Sequence, residues 1–150
     1  MRRLRGQVMV TWLVLVVGGQ ILSAPAWASI DPIYFARARA EAPHHIQVRI
    51  LAVTDETSGS CRILGEVVRV FRTGSKQLAP GHAVNFTLRC RKPDDPPLLC
   101  VMAQAYAPLH RARYVEVFLD EASVDGDEFM VAMQQARLVA KPTAQPQFER

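Results

Sequence analysis

From His44 onward, apolar and polar residues alternate with a period of two over most of the chain. Ile46, Val48 and Ile50 share one side of a half-buried strand over about 44–54, with Gln47 and Arg49 on the other. The polar turn Asp55-Glu-Thr-Ser-Gly-Ser60 separates it from a longer strand, Cys61 to Arg72. Cys61, Ile63 and Val67 share a face there, but Val67 and Val68 are adjacent apolar residues and the alternation slips. With Gly65 close by, a bulge or sharp bend is expected. Thr73 to Gly81 holds Gly74, Pro80 and Gly81 and reads as a loop. Val84, Phe86 and Leu88 against Asn85, Thr87 and Arg89 make a third strand that ends at Cys90.

Two segments carry helix signals instead. Asp31-Pro32 is an N-cap followed by a first-turn proline, and Pro43 closes a short Ala/Arg-rich helix over 33–42. Asp95-Pro96 repeats that signal, and Leu98, Leu99, Met102, Ala105 and Tyr106 recur at helical spacing until Pro108. Alternation resumes at Arg113 to Leu119 as a fourth strand. After a turn containing Asp125-Gly126, a fifth opens with Phe129, Val131 and Met133 and reaches about Val139. Lys141 to Arg150 has two prolines and no apolar periodicity, so residues 141–150 are expected to be a loose tail. Five short strands, a bend in the second and a helix between the third and fourth suit a mainly β fold of one kind. That is a small five-stranded OB-type barrel over 44–140, preceded by a short N-terminal helix in 29–43. A sandwich would want about seven strands.

The first 28 residues follow a different logic. Arg2, Arg3 and Arg5 precede an apolar run from Val8 to Leu22, and Ala26-Trp-Ala28 places small residues at −3 and −1 of a cut before Ser29. That order is a secretory signal peptide over 1–28. About 15 apolar residues span roughly 22 Å as a helix, short of a ~30 Å hydrocarbon core, so an uncleaved anchor fits less well. No cysteine follows the cut to take a lipid. Cleavage removes Trp12 and Trp27, which are both tryptophans of the chain. The mature protein is expected to start at Ser29 and to show no tryptophan fluorescence, which intact mass and an emission spectrum check.

The same split changes the meaning of the charge. The whole chain is +4, but removing three leader arginines from 18 basic residues leaves 15 against 14 acidic ones. A net of +1 does not point to nucleic acid, and single-strand binding would also want outward aromatic platforms beside the charge. Arg62, Arg69, Arg72, Lys76, Arg89, Arg91 and Lys92 do cluster around strands two and three. Arg62, Arg69, Phe71, Arg72, Arg89 and Arg91 therefore form a candidate ligand-binding face for an anionic ligand, because barrels of this type use that surface. The plain alternative is an ordinary charged strand exterior.

Cys61, Cys90 and Cys100 all lie beyond the leader, and an oxidising compartment permits one bridge. Cys61 opens strand two, Cys90 closes strand three, and alternation turns both inward, so a Cys61–Cys90 disulfide is favoured. Cys90–Cys100 and three free thiols are the alternatives. No Cys-x-x-Cys is present, which argues against thioredoxin-like chemistry, covalent haem and cysteine-rich zinc sites. Adjacent His44 and His45 point to opposite faces of a strand, and His82 and His110 sit in loops, so no metal site is assigned. Asp120, Glu121, Asp125, Asp127 and Glu128 crowd one hairpin without calcium-loop spacing and read as a solvated turn. No glycine-rich phosphate loop, no nucleophile elbow around Ser58 or Ser60 and no His-Glu-x-x-His occurs, so no cofactor is implied.

Val67-Val-Arg-Val-Phe-Arg72, Pro80-Gly81, Val84-Asn-Phe86 up to Cys90, and Tyr114-Val-Glu-Val-Phe-Leu119 together resemble the secreted netrin-like module. The resemblance covers roughly 46–139. It implies an OB-type barrel, the fold also found in tissue inhibitors of metalloproteases. Those inhibitors act through an N-terminal Cys-x-Cys that chelates the protease zinc. Here the expected mature start is Ser29-Ile-Asp-Pro32, with no cysteine, so only the fold carries over.

The expectation is an exported, periplasmic or secreted, non-catalytic binding or accessory protein. Its partner would be an anionic envelope component or another protein, with no nucleic acid and no transmembrane segment after leader removal. The alternative is a small secreted thiol enzyme or hydrolase that uses Cys100 with a histidine such as His110.

Overall fold

A computed structural model of the chain describes residues 31–56, 59–96, 102–122 and 128–148. The signal peptide expected over 1–28 lies outside them. The elements in chain order are α1 (Pro32–Glu41), β1 (His44–Glu56), β2 (Ser60–Arg72), β3 (Ala83–Arg91), β4 (Gln104–Ala105), α2 (Tyr106–Arg111), β5 (Tyr114–Ala122) and β6 (Glu128–Val139). The five long strands sit within about three residues of where alternation puts them. They form one mainly β sheet in the order β2-β1-β5-β6-β3-β4, and β2 also pairs with β3. Each long strand thus has two long neighbours, β3 also carries the short β4, and the ladder returns to its starting strand. Every pair of long strands is antiparallel except β3–β6, which is parallel.

The inner side of this circuit is the core. Ile46, Val48, Ile63, Val67, Val84, Phe86, Leu88, Val115, Val117, Leu119 and Phe129 are buried together. The period-two pattern predicts this set, because alternate residues of a strand point to the same face. Gly65 lies opposite Ile50, where β1 crosses closest to β2. A Cβ at residue 65 would fall 2.2 Å from Val48 Cγ1 and 2.8 Å from the Arg49 carbonyl oxygen. The bend expected near Gly65 is therefore a close approach of two backbones. The register slips at Leu51 on β1 beside Gly65, and on β2 at Phe71 and at Val68, where the Val67-Val68 pair interrupts the alternation and a bulge is expected. Gly65→Ala is expected to destabilise by about 3 kcal/mol or more, since the clash is with backbone as well as side chain. Thermal unfolding checks it.

Three expectations need correction. The helix read from Asp95-Pro96 to Pro108 is not where periodicity puts it: α2 starts at Tyr106, and residues 104–105 pair in parallel with Cys90 and Arg91 as β4. Residues 97–101 lie outside the described part. Pro108 falls in the first turn of α2, where a missing N–H costs nothing, so it begins a helix instead of ending one. Leu109 of α2 is fully buried and closes one end of the strand circuit.

The second correction concerns residues 141–148. They have no regular structure but are not loose. Thr143 N–H donates to Gln47 Oε1, Gln147 and Phe148 N–H groups donate to the Glu116 carboxylate, and Phe148 packs edge-on against Phe118. Absent periodicity means no helix or strand here; it does not mean absent contacts.

The third concerns β6, which is not a regular strand. Leu119 pairs with Val131 and Val117 with Ala136, so residues 132–135 bulge out opposite Phe118. Met133 (φ 44°) and Gln134 (φ 58°) take the left-handed conformation to make this turn. The bulge delivers Gln135 to α1, where its amide donates to the Phe35 carbonyl and accepts from Arg39. Arg72 donates to the carbonyls of Arg39 and Ala40 at the other end of the same helix. No residue of α1 is itself buried, so these polar contacts hold it in place.

Candidate functional site

The end of the circuit closed by α2 gathers the chain's most concentrated chemistry. Asp55, near the end of β1, lies opposite Cys61 at the start of β2, and Cys61 lies opposite Leu88 on β3. Cys90 N–H donates to the Gly59 carbonyl. This register brings Cys61 and Cys90 together in a disulfide with a Cα–Cα distance of 5.7 Å. Both cysteines are buried members of the core.

α2 adds two side chains from above. Tyr106 donates its hydroxyl to Asp55 Oδ2 at 2.7 Å, and His110 Nε2 donates to Asp55 Oδ1 at 3.1 Å. The two rings lie 4.1 Å apart. Lys92 reaches Asp55 Oδ2 at 3.4 Å and sits over the Tyr106 ring. The Tyr106 hydrogen bond chiefly holds the Asp55 carboxyl below its usual range; partial burial works against it, and Lys92 and His110 add to the lowering. The same hydrogen bond raises the Tyr106 phenol. Donor atoms of Asp55, Cys61 and His110 all fall within 4.8 Å of one another, although the Cys61 sulfur is held in the disulfide. Beside this cluster is an open groove of about 290 Å³ lined by Arg91, Lys92, Tyr106, Pro93 and Pro108. A second groove, of about 710 Å³, lies against β2 and β3 between Leu64, Lys76, Leu78, His82 and Asn85.

The six residues of the expected ligand-binding face do not form one patch. Arg62 and Arg89 share the outer face near one end of the β2–β3 pair, and Arg91 follows at the groove. Arg62 is drawn to Glu56 at 2.5 Å and lies 3.9 Å from Glu128. Arg69, Phe71 and Arg72 lie seven to ten residues further along β2, on the order of 20–30 Å away at strand rise. Phe71 packs on the His45 ring and Arg72 caps α1, so neither is free for a ligand. The Arg91 side chain has no ion-pair partner among the described residues.

A second polar cluster was not legible in the sequence. Glu116 on β5 is fully buried, and four donors converge on its carboxylate. They are His45 Nε2 at 2.8 Å, Gln47 Nε2 at 2.8 Å and the backbone N–H groups of Gln147 and Phe148. Burial alone would raise this carboxyl; the hydrogen bonds from His45, Gln47, Gln147 and Phe148 outweigh it and leave it lowered. His45 stacks on Phe118 with ring centres 3.9 Å apart. Glu116 occupies a polar position in the alternation, which ordinarily faces water. Only residues 141–148, lying over that face, bury it.

His44 points the other way along the same strand. Its Nδ1 accepts from Gly74 N–H at 3.2 Å, and its Nε2 lies 3.5 Å from Glu121 Oε2. Glu121 also accepts from the Ser75 hydroxyl and N–H, and the Ser75 hydroxyl is the main cause of its lowered pKa. The adjacent histidines thus anchor different loops and do not converge. Cys100 and Ser58 lie outside the described residues. His110, the expected partner of Cys100 in a thiol enzyme, is engaged with Asp55 and Tyr106. Among the described residues no helix is long and apolar enough to cross a membrane. No family model and no curated protein matches the chain.

Proposed function

We propose that the chain is an exported, non-catalytic binding protein built on an OB-type barrel, which takes an anionic envelope component at the groove of Arg91, Lys92 and Tyr106. The strand circuit β1-β2-β3-β6-β5, with β3 and β6 parallel and a helix between β3 and β5, supports the barrel reading. The netrin-like resemblance points the same way. The leader pattern and the Cys61–Cys90 disulfide support export, since such bridges persist in oxidising compartments.

The observation that carries the binding reading is Arg91. Its side chain lines a groove and has no carboxylate partner among the described residues, beside a lysine and an aromatic ring. A planar guanidinium with five donors suits a phosphate or carboxylate, and Lys92 adds a second positive charge beside it. Capture from an envelope extract by the purified protein and by Arg91→Glu tests this. A component retained by the first, released by raised salt and lost from the second supports the reading. Identical retention by both overturns it, and retention of a protein alone replaces the envelope ligand with a partner protein.

A further inference from the structure

We propose that the Cys61–Cys90 disulfide masks a zinc site, and that opening it creates a tetrahedral centre of Cys61, Cys90, His110 and Asp55. In the oxidised chain the donor atoms of Asp55, Cys61 and His110 lie within 4.8 Å of one another. The Cys90 sulfur is bonded to that of Cys61, next to this group of three but not one of its members. Zinc bonds of ~2.3 Å to sulfur and ~2.0–2.2 Å to nitrogen or oxygen put tetrahedral ligands roughly 3.3–3.8 Å apart. Shifts of about 1 Å therefore bring Asp55, Cys61 and His110 to zinc distances, and Cys90 completes the shell by rotating its freed thiolate toward them. Two thiolates, an imidazole and a carboxylate are a donor set for zinc and not for magnesium or calcium.

The backbone that carries these donors is held by strand pairing as well as by the sulfur–sulfur bond. Asp55 pairs with Cys61 across β1–β2, Cys61 with Leu88 across β2–β3, and Cys90 N–H is bonded to Gly59. His110 comes from α2, which is seated by the fully buried Leu109. Tyr106 braces the second oxygen of Asp55 and stacks on the His110 ring, the kind of outer contact that orients metal ligands. The sulfurs are buried, while the Asp55 and His110 side chains are partly exposed, so an ion reaches the sulfurs from the α2 side.

In the oxidised state the disulfide sulfurs carry no charge, and only two donors remain for a metal. A dithiol reductant changes this. Its thiolate attacks one sulfur, the Cys61–Cys90 bond breaks, and the protein gains two electrons and two protons while the reductant becomes a disulfide. Zinc then displaces the two thiol protons to solvent as two Zn–S bonds form.

The test uses the purified protein carrying Cys100→Ser, so that the third thiol contributes nothing. The oxidised form and a form reduced with a phosphine are titrated with cobalt(II) and then with zinc. The reduced protein is expected to bind one cobalt with the intense visible absorption of tetrahedral thiolate coordination, and zinc is expected to bleach it. The oxidised protein is expected to stay colourless. His110→Ala and Asp55→Ala each delete a ligand and are each expected to weaken zinc binding by at least the ~10–100-fold lost when an outer contact to a ligand is removed. Should reduction unfold the chain, zinc is expected to restore its circular dichroism, and His110→Ala is expected to abolish that rescue. A reduced protein without the tetrahedral spectrum and without zinc rescue overturns the proposal. So does equal affinity in the parent and both variants, which would leave the two cysteines acting alone.

Discussion

Cys61→Ser and Cys90→Ser are each expected to lower the unfolding free energy by about 2–4 kcal/mol, and by similar amounts. The bridge closes a loop with a sequence separation of 29, for which the chain-entropy relation gives about 3–4 kcal/mol. Each change also leaves a buried polar or thiol group at the end of the core where α2 is seated. The double substitution is expected to be little worse than either single one, because the second change breaks no further bond. Denaturant titration of the three variants measures this. Native protein is also expected to show one free thiol per chain, at Cys100, by labelling and peptide mapping. Three free thiols in protein purified without reductant would contradict the bridge, and additive losses in the double variant would mean that the two cysteines act separately.

Glu116→Gln is expected to destabilise by about 3–5 kcal/mol, despite its near-identical shape. Four donors meet two carboxylate oxygens at this buried site. An amide offers one acceptor oxygen and turns an NH₂ group toward donors, so at least two of them lose their partner, at ~1–3 kcal/mol each. Residues 141–148 are held by two of those donors. Hydrogen exchange at the Gln147 and Phe148 amides should therefore accelerate more than exchange in the strands. A loss below about 1 kcal/mol would show that water replaces the bonds, and that the face is wetter than the packing of Phe118 and Phe148 implies.

The same residue sets an acid limit. Glu116 is held below its ordinary range in the folded chain, so the fold favours its ionised form. That contribution is complete above the unfolded value of about 4.3 and is lost as pH falls through the lower folded value. Melting temperature should consequently drop between about pH 5 and pH 3 in the parent. The drop should be shallower in Glu116→Gln, which carries no proton to titrate at this position.

Much of the architecture was legible because strands leave a local mark. Cys61, Ile63 and Val67, or Val84, Phe86 and Leu88, declare an inward face by spacing alone, since a strand turns its side chains over every second residue. The same rule placed Cys61 and Cys90 inward at matching ends of a hairpin, and the bridge follows from that register. The helix before β5 was misread for a related reason. Leu98 to Tyr106 has helical spacing, but Pro108 can start a helix as readily as stop one, and only the burial of Leu109 against the strands shows where α2 begins.

The functional chemistry lies where local marks end. Asp55, Tyr106 and His110 stand 51 and 55 residues apart along the chain, and nothing in their spacing announces contact. Arg62, Arg69 and Arg72 look like one basic run, yet a strand at roughly 3.3 Å per residue carries them to opposite ends of β2. Glu116 looks like a solvent-facing residue, because its burial depends on a segment whose own sequence has no periodicity. By itself the sequence determined the five strands and their inward faces, and favoured the Cys61–Cys90 pairing over its alternatives. These depend on residue type at short range, where period, turn chemistry and charge act directly. The tertiary structure alone decided that residues 141–148 cover β1 and β5, that β6 breaks at Met133 and Gln134 to hold α1, and that Asp55 meets His110 beside the disulfide. Each of these joins side chains distant in sequence, and such contacts are set by how the closed circuit of strands brings its ends together.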